Sequence, residues 1–125
     1  MLSHIRNLDY VVLLCEDVSQ MKAFYHETLG FPIYRDWEDW IEMRMGNVLL
    51  TLRRRGRPYD GDKHPNSASV QLAFRVTPKE VDECYAELVQ KQVEMIDPPR
   101  DQDYGHRTLF FKDPEGNILE IYADI

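Results

Sequence analysis

A carboxylate and an imidazole near the end of the chain are the side chains best suited to chemistry. Glu120 lies between Leu119 and Ile121, where burying a charged group without a partner is costly. Of the four histidines, only His106 is placed where it can reach the same surface of the protein as Glu120. Side chains of these two types transfer protons in catalysis, so both are candidate catalytic residues. The alternatives are a solvated edge or salt bridge for Glu120 and a structural or solvated position for His106.

The strand that opens the second half of the chain has two different faces. Its apolar residues are Val70, Leu72, Phe74 and Val76, and they alternate with Gln71, Ala73 and Arg75. If a helix covers the apolar face, the second set points to the opposite, concave face. The same parity places Ile118, Glu120 and Tyr122 of the last strand on that face. Gln71, Arg75 and Tyr122 are therefore candidate substrate-binding residues.

Residues 40–45 alternate in the same way. The apolar members are Ile41, Met43 and Met45, and the other members are Trp40, Glu42 and Arg44. The second set offers an aromatic ring and two charges. It either lines a pocket, where Trp40 and Arg44 would contact a ligand, or forms the outer face of the sheet.

The elements that carry these residues occur twice along the chain. Residues 8–53 and 68–123 each comprise an apolar strand, a capped amphipathic helix and further strands, with a linker at about 56–67. At 125 residues the chain suits one domain rather than two independent ones. We predict a single α+β domain, residues 1–125, made of two βαβββ repeats. Each repeat is too thin to bury its own sheet, so the two must pair and leave a concave surface for a small molecule.

Capping and turn residues set the expected boundaries. Asp17 or Ser19 begins the first helix, and Thr77 with Glu80 forms a capping box at the start of the second. The helices are expected at residues 19–29 and 78–91. The strands are expected at residues 8–15, 31–35, 40–45, 47–53, 69–76, 93–96, 107–112 and 118–123. Pro98-Pro99 is expected to prevent the strand at residues 93–96 from continuing.

Charge and composition argue against two classes of partner. The formal charge of −7 at pH 7 repels a phosphate backbone, so nucleic acid is not expected as the main partner. No apolar run approaches the roughly 20 residues of a membrane helix, and the start lacks the features of a signal peptide. We therefore expect a cytoplasmic protein with no membrane partner. Cys15 and Cys84 are isolated in apolar patterns and are expected to be reduced core residues.

Basic residues cluster at one place, Arg53, Arg54, Arg55 and Arg57. The cluster follows an apolar strand. It forms either a solvated loop or a docking site for the anionic tail of a substrate, and the sequence leaves both open.

Four segments carry a family resemblance: Leu8–Asp17, Phe24–Phe31, Gln71–Val76 and Tyr104–Glu120. The most specific parts are the helix end Phe24-Tyr-His-Glu-Thr-Leu-Gly-Phe31 and the ending Phe111-Lys-Asp-Pro-Glu-Gly-Asn-Ile-Leu-Glu120. Together they resemble the vicinal oxygen chelate superfamily of glyoxalase I, extradiol dioxygenases, fosfomycin-resistance transferases and bleomycin-resistance proteins. The resemblance spans essentially the whole chain. It implies two βαβββ modules whose mixed sheets form an open cup, commonly assembled as a homodimer.

The resemblance also implies a metal site. In metal-dependent members, four positions on the first and last strands of the modules hold a divalent ion that chelates two adjacent substrate oxygens. They match Tyr10, Leu50, Gln71 and Glu120. Leu50 has no donor atom and a phenol is a poor ligand at neutral pH, so only Gln71 and Glu120 are expected as metal ligands. Such a set implies no metal ion or a weakly held one. Tyr10 is kept as a substrate-binding candidate.

Members of this superfamily often carry a basic residue near the ligand at the position of Arg107. A guanidinium there can clamp a carboxylate or phosphate, which makes Arg107 a further substrate-binding candidate. The alternative is a salt bridge that anchors the turn at Asp113.

Three functions are compatible with this pattern. The first is a small-molecule-binding protein of the bleomycin-resistance type, with a degenerate or absent metal site, which holds a bulky ligand by aromatic stacking and an acidic rim. The second is a divalent-metal-dependent lyase, isomerase or dioxygenase of the glyoxalase type. There Glu120 is ligand or general base, Gln71 is a second ligand and His106 is an acid or base. The third is a structural or protein-interaction module that has lost its ligand.

Overall fold

Two four-stranded sheets, each with its own helix, make up the computed structural model, which describes residues 1–125. The chain divides into two compact units, Met1–Lys63 and His64–Ile125. The βαβββ order occurs in each of them, which confirms the α+β class and the two repeats predicted from the sequence. No helix is long and apolar enough to cross a membrane.

The first unit contains four strands and one helical segment. Its elements are β1 (Tyr10–Cys15), α1 (Val18–Lys22), a π-helical continuation (Ala23–Thr28), β2 (Ile33–Asp36), β3 (Trp40–Met45) and β4 (Val48–Arg54). A short 3-10 turn, Leu2–His4, precedes them. The strand order is β1-β4-β3-β2. β1 and β4 are parallel and the other neighbours are antiparallel, so the sheet is mixed.

The second unit repeats this arrangement. Its elements are β5 (Gln71–Arg75), α2 (Pro78–Gln90), β6 (Met95–Asp101), β7 (His106–Lys112) and β8 (Ile118–Asp124). The strand order is β5-β8-β7-β6, with β5 and β8 parallel and the other pairs antiparallel. The first and last strands of each unit are therefore neighbours in both sheets.

Local hydrogen bonds begin both helices at predicted residues. The carboxylate of Asp17 accepts the backbone N–H of Gln20 at 3.0 Å, which identifies Asp17 as the first cap. At the second helix, the Glu80 carboxylate accepts the backbone N–H of Thr77 at 3.0 Å, with Pro78 in the first turn. This is the predicted capping box.

Each helix packs against one face of its own sheet. The buried apolar residues of the first unit are Leu13, Cys15, Val18, Met21, Tyr25, Ile41, Met43, Leu50 and Leu52. Those of the second are Val81, Leu88, Leu109, Phe111, Leu119 and Ala123. Within each set, the residues that belong to strands all point to the same side of their sheet, as the pairing of the strands shows. They therefore form the core face under the helix and leave the opposite face of each sheet to other side chains.

Two expected boundaries are wrong. The strand predicted at residues 93–96 runs through Pro98-Pro99 as β6. β6 is an edge strand and its pairing with β7 shifts register twice, so the prolines occupy positions where no ladder N–H is needed. The first helix is also not a single α-helix, because Ala23–Thr28 adopts π-helical hydrogen bonding.

The two cysteines differ in burial. Cys15 is fully buried, as expected, whereas Cys84 is only partly buried. Desolvation raises the pKa of the Cys84 thiol, and the negative charge of Glu87 adds to this shift.

Candidate functional site

The face of the second sheet opposite α2 brings together residues of three strands. In the pairing of β5 with β8, Gln71 lies opposite Ile118, Ala73 opposite Glu120, and Arg75 opposite Tyr122. β7 adds His106, opposite Asp124 of β8. Because directly paired residues point to the same side of a sheet, Gln71, Arg75, Glu120 and Tyr122 share one face, and the predicted parity is confirmed.

Glu120 is a nearly buried carboxylate held by Gln71. Its side chain is 9% exposed, and Gln71 Nε2 donates to Glu120 Oε1 at 3.2 Å. Its neighbours across the ladder, Ala73 and Phe110, are apolar. A carboxylate can accept several hydrogen bonds, and Gln71 supplies only one. Glu120 can therefore accept further hydrogen bonds from a bound molecule.

Four side chains at the other end of this face form a closed network. Arg75 Nε donates to the Tyr122 hydroxyl at 3.2 Å, and Arg75 Nη1 lies 3.2 Å from Asp124 Oδ2. His106 Nε2 lies 3.2 Å from Asp124 Oδ1. The His106 ring also stacks on Tyr122, with centroids 4.6 Å apart and planes inclined by 29°. The network presents an aromatic surface beside a guanidinium, which suits a planar or anionic ligand.

The structure does not bring His106 and Glu120 into contact. His106 is in register with Asp124, which is four residues beyond Glu120 on β8. Four residues at about 3.3 Å each separate the two positions by roughly 13 Å along the strand. The two candidate catalytic groups can therefore act together only on a molecule that spans this distance.

Arg107 does not belong to this face. It is in register with Ala123 on the core side of the sheet, and its guanidinium contacts α2. Nη2 donates to Asp82 at 2.8 Å and Nη1 to Asp101 at 2.8 Å. These bonds, first the one to Asp82, raise the pKa of Arg107 and keep it charged. The structure thus places Arg107 away from the face that carries Glu120 and His106, and its two acid partners are Asp82 and Asp101 rather than Asp113.

In the first sheet, three rows of residues face away from the helix. The rows are Tyr10, Leu49 and Arg44; Val12, Thr51 and Glu42; and Leu14, Arg53 and Trp40. Trp40, Glu42 and Arg44 therefore lie on the same face as Tyr10. The centroids of the Tyr10 and Trp40 rings are 6.3 Å apart. The Arg44 guanidinium lies over the Tyr34 ring at 4.3 Å, so aromatic rings and a cation share this surface.

The pairing register corrects one of the positions inferred from the resemblance. Leu50 is paired with Val11 and Met43 and is buried on the core face. Thr51 is instead the first-unit counterpart of Glu120. Tyr10 pairs with Leu49, and Thr51 follows Leu49 by two residues; in the same way Gln71 pairs with Ile118, and Glu120 follows Ile118 by two residues. The turn before β4 has two residues and the turn before β8 has five. Aligning Gly46-Asn47 with Gly116-Asn117 therefore matches Glu120 with Leu50, one residue before Thr51.

Glu42 shares this face of the first sheet with Trp40 and Arg44 but was not among the predicted substrate-binding residues. It is 2% exposed, and Trp40 Nε1 donates to its Oε2 at 2.8 Å. Its Oε1 is buried without a hydrogen bond, and the nearest cation is Arg35 Nη1 at 3.9 Å. The alternation of residues 40–45 predicts which residues share a face with Glu42 but not that Glu42 is buried and hydrogen-bonded to Trp40. Glu42 therefore has one carboxylate oxygen that is an unsatisfied buried acceptor.

The side chains at the family's metal positions do not fit a tightly held divalent ion. The first unit offers the Tyr10 phenol and the Thr51 hydroxyl, which donates to the Leu49 carbonyl at 3.2 Å. The second offers the amide of Gln71 and the carboxylate of Glu120. No three His, Cys, Asp or Glu side chains are grouped so that they could hold a metal ion. Neither pair contains an imidazole or a thiolate, and only the pair of the second unit contains a carboxylate, so neither suits tight binding of transition metals or zinc.

Two βαβββ units, each with parallel first and last strands, define a glyoxalase-like α+β protein. The chain belongs to the Glyoxalase/Bleomycin resistance protein/Dioxygenase superfamily, whose family model matches residues 7–121. This match confirms the resemblance drawn from the sequence motifs.

Known proteins of similar sequence and structure support the family and not a particular activity. The chain is 28% identical to the uncharacterized protein YwkD of Bacillus subtilis, over 94% of this chain and 97% of that protein. It is 19% identical to the metallothiol transferase FosB of Lysinibacillus sphaericus, over 95% of this chain and 83% of that protein. A glyoxalase/bleomycin resistance protein/dioxygenase structure from Nocardioides superposes with a TM-score of 0.84 at 21% identity, covering 97% of this chain and 85% of the other.

Proposed function

We propose that the chain is a small-molecule-binding protein of the glyoxalase and bleomycin-resistance type, with a degenerate or absent metal site. The observation that carries this proposal is the donor set at the family positions. Glu120 is its single carboxylate, and that carboxylate is already hydrogen-bonded to Gln71. Tyr10 and Thr51 supply only a phenol and a hydroxyl, so binding must depend on organic contacts rather than on a metal ion.

In the second unit, Arg75, Tyr122 and His106 bind the ligand in this proposal. The Tyr122 and His106 rings form a stacked surface, and Arg75 at its edge attracts a negatively charged or polar group. Glu120 accepts a hydrogen bond from a donor on the ligand, since its carboxylate has unused acceptor capacity.

In the first unit, Tyr10, Trp40 and Arg44 form a candidate binding surface of their own. Tyr10 is 44% exposed and lies beside the Trp40 ring, so an aromatic or apolar group can pack on both. Exposed Tyr10 and Val12 on a sheet face also favour a homodimer, in which a second chain covers part of this surface. Light scattering combined with gel filtration tests the dimer.

A divalent-metal-dependent lyase, isomerase or dioxygenase is the second candidate function. The carboxylate of Glu120 on the last strand favours it, and the relative from Lysinibacillus sphaericus is named a metallothiol transferase. Gln71 and Glu120 would be the metal ligands, and His106 the acid or base. The substrate would carry vicinal oxygens.

A thermal-shift screen of small organic molecules, run with and without a chelator, separates the two functions. The binding function predicts ligands that raise the Tm equally in both conditions, with weaker stabilisation in Arg75→Gln. Lys79→Gln is the control, because it removes an exposed cation of the same unit that lies on α2, on the other side of the sheet, where its partner Glu83 is 3.7 Å away. Stabilisation that requires a divalent ion and disappears in Glu120→Gln would instead support the metal-dependent enzyme.

A further inference from the structure

A cavity of about 260 Å³ opens in the first unit where β3 begins and β4 ends. It is lined by Trp37, Asp39, Trp40, Arg53, Arg54 and Arg57. Both tryptophans of the chain therefore face one cavity. Indole rings stack on planar groups and guanidiniums bind carboxylates and phosphates, so this lining suits a flat anion.

The charges of the cavity are not balanced. Arg53 holds Asp60 by two hydrogen bonds of 2.9 and 2.8 Å, and Arg54 donates to Asp39 at 3.1 Å. Arg57 donates to the Tyr59 hydroxyl at 3.1 Å and has no carboxylate partner. The cavity thus presents one uncompensated guanidinium in a chain whose formal charge is −7.

Asp60 fixes the loop that carries Arg57. Its Oδ2 accepts the backbone N–H groups of Gly56 at 2.8 Å and of Arg57 at 2.7 Å, in addition to the bond from Arg53. The Arg53 hydrogen bond, above all, holds the pKa of Asp60 well below its usual range. Arg55 Nη1 donates to the Asp60 carbonyl at 3.1 Å. The backbone of Arg57 is therefore positioned before any ligand arrives, which reduces the entropic cost of binding.

The two tryptophan rings are also held in place. Trp40 is oriented by its hydrogen bond to the buried Glu42, at 2.8 Å. Trp37 is 62% exposed, and the Arg35 guanidinium lies over one face of its ring at 4.6 Å. Trp37 also lines the cavity, so its exposed ring can contact a bound molecule.

We propose that this cavity binds a small aromatic anion, a carboxylate or a phosphate ester, whose ring packs on Trp37 and Trp40 and whose charged group is bound by Arg57. Arg54 adds a second guanidinium if it exchanges Asp39 for the ligand. This inference rests on the proposed small-molecule-binding function and adds to it the chemical class of the ligand.

Tryptophan fluorescence tests the inference, because both fluorophores line the cavity. The full chain is titrated with benzoate, phenyl phosphate, uncharged benzyl alcohol and inorganic phosphate. Saturable changes are expected with benzoate and phenyl phosphate, and binding at least about tenfold weaker is expected with the other two. Arg57→Gln should weaken aromatic-anion binding about tenfold, whereas Arg100→Gln in the second unit should leave it unchanged.

Circular dichroism of each variant confirms that it is folded, and Arg57→Lys, which keeps the charge, should restore part of the affinity. Equal affinity of Arg57→Gln and the unchanged chain would overturn the inference, as would binding of benzyl alcohol as tight as that of benzoate. If both aromatic anions fail while the thermal-shift screen finds another ligand, this inference is wrong and the proposed function stands. If no organic molecule binds in either assay, the proposed function fails as well.

Discussion

Replacing Asp113 by alanine should destabilise the fold more than any other single change in the β7–β8 turn. Asp113 is 4% exposed. Its carboxylate accepts the backbone N–H groups of Glu115 at 2.9 Å and Asn117 at 3.0 Å, and the Asn117 side-chain amide at 2.8 Å. Alanine removes every one of these acceptors and leaves three donors in a buried turn.

The magnitude follows from those three bonds. A hydrogen bond to a charged group contributes about 1.5 to 3 kcal/mol, and a buried donor left unpaired costs about 1 to 3 kcal/mol. Such terms are not additive and water can reach part of an opened turn, so we expect a loss of about 3 to 4 kcal/mol in the free energy of unfolding. For a chain of this length that loss lowers the Tm by about 10 to 15 °C.

Thermal and urea unfolding, followed by far-UV circular dichroism, measure the change. Asn117→Ala is the matched control, because it deletes one donor and leaves the carboxylate in place, and it should cost about 1.5 kcal/mol, the lower end of the range for a hydrogen bond to a charged group. A fall of less than about 3 °C in Asp113→Ala would refute the reasoning. So would an equal loss in the two variants, because the turn would then not depend on the carboxylate.

Three further predictions concern the helices and the thiols. The hydrogen bond from Arg107 lowers the pKa of Asp82, so the stability that Asp82 contributes is present above the ordinary aspartate pKa and is lost as pH falls through the lowered value. Asp82→Asn should therefore reduce the acid-side fall in a profile of Tm against pH. Thr77→Ala should lower the free energy of unfolding by about 1 kcal/mol in urea titrations. Because burial raises the pKa of Cys84, its thiol should react with a chromogenic disulfide reagent more slowly than free cysteine, and Cys15 should react only after unfolding.

Much of the fold follows from local sequence signals. Residues such as Asp17, Thr77 and Glu80 mark helix starts that the structure confirms, because capping depends on side chains only a few positions apart. The alternation in β5 correctly places Gln71 and Arg75 on one face. Pro98-Pro99 misled the prediction, because an edge strand with shifted register tolerates prolines and edge position is a property of the whole sheet.

The sequence predicts membership of the candidate site correctly only where the alternation of side chains along a strand is enough to determine which face a residue lies on. Gln71 and Glu120 share a face because parallel neighbouring strands put them there, and their hydrogen bond follows. Arg107 lies on the other face, one residue from His106, and the acids that hold it come from α2 and β6, which no local pattern connects to it. The burial of Glu42 and its hydrogen bond from Trp40 depend on packing in the folded sheet, which the alternation of residues 40–45 does not reveal.

The central claim is that the site binds organic molecules without a tightly held metal ion. Metal analysis of the purified chain by mass spectrometry, followed by calorimetric titration with Mg²⁺, Ni²⁺ and Zn²⁺, tests it most directly. With the donor set of Gln71 and Glu120, we predict far less than one ion per chain and affinities no tighter than about the micromolar range. About one tightly bound ion per chain, removed by a chelator and lost in Glu120→Gln, would contradict the claim.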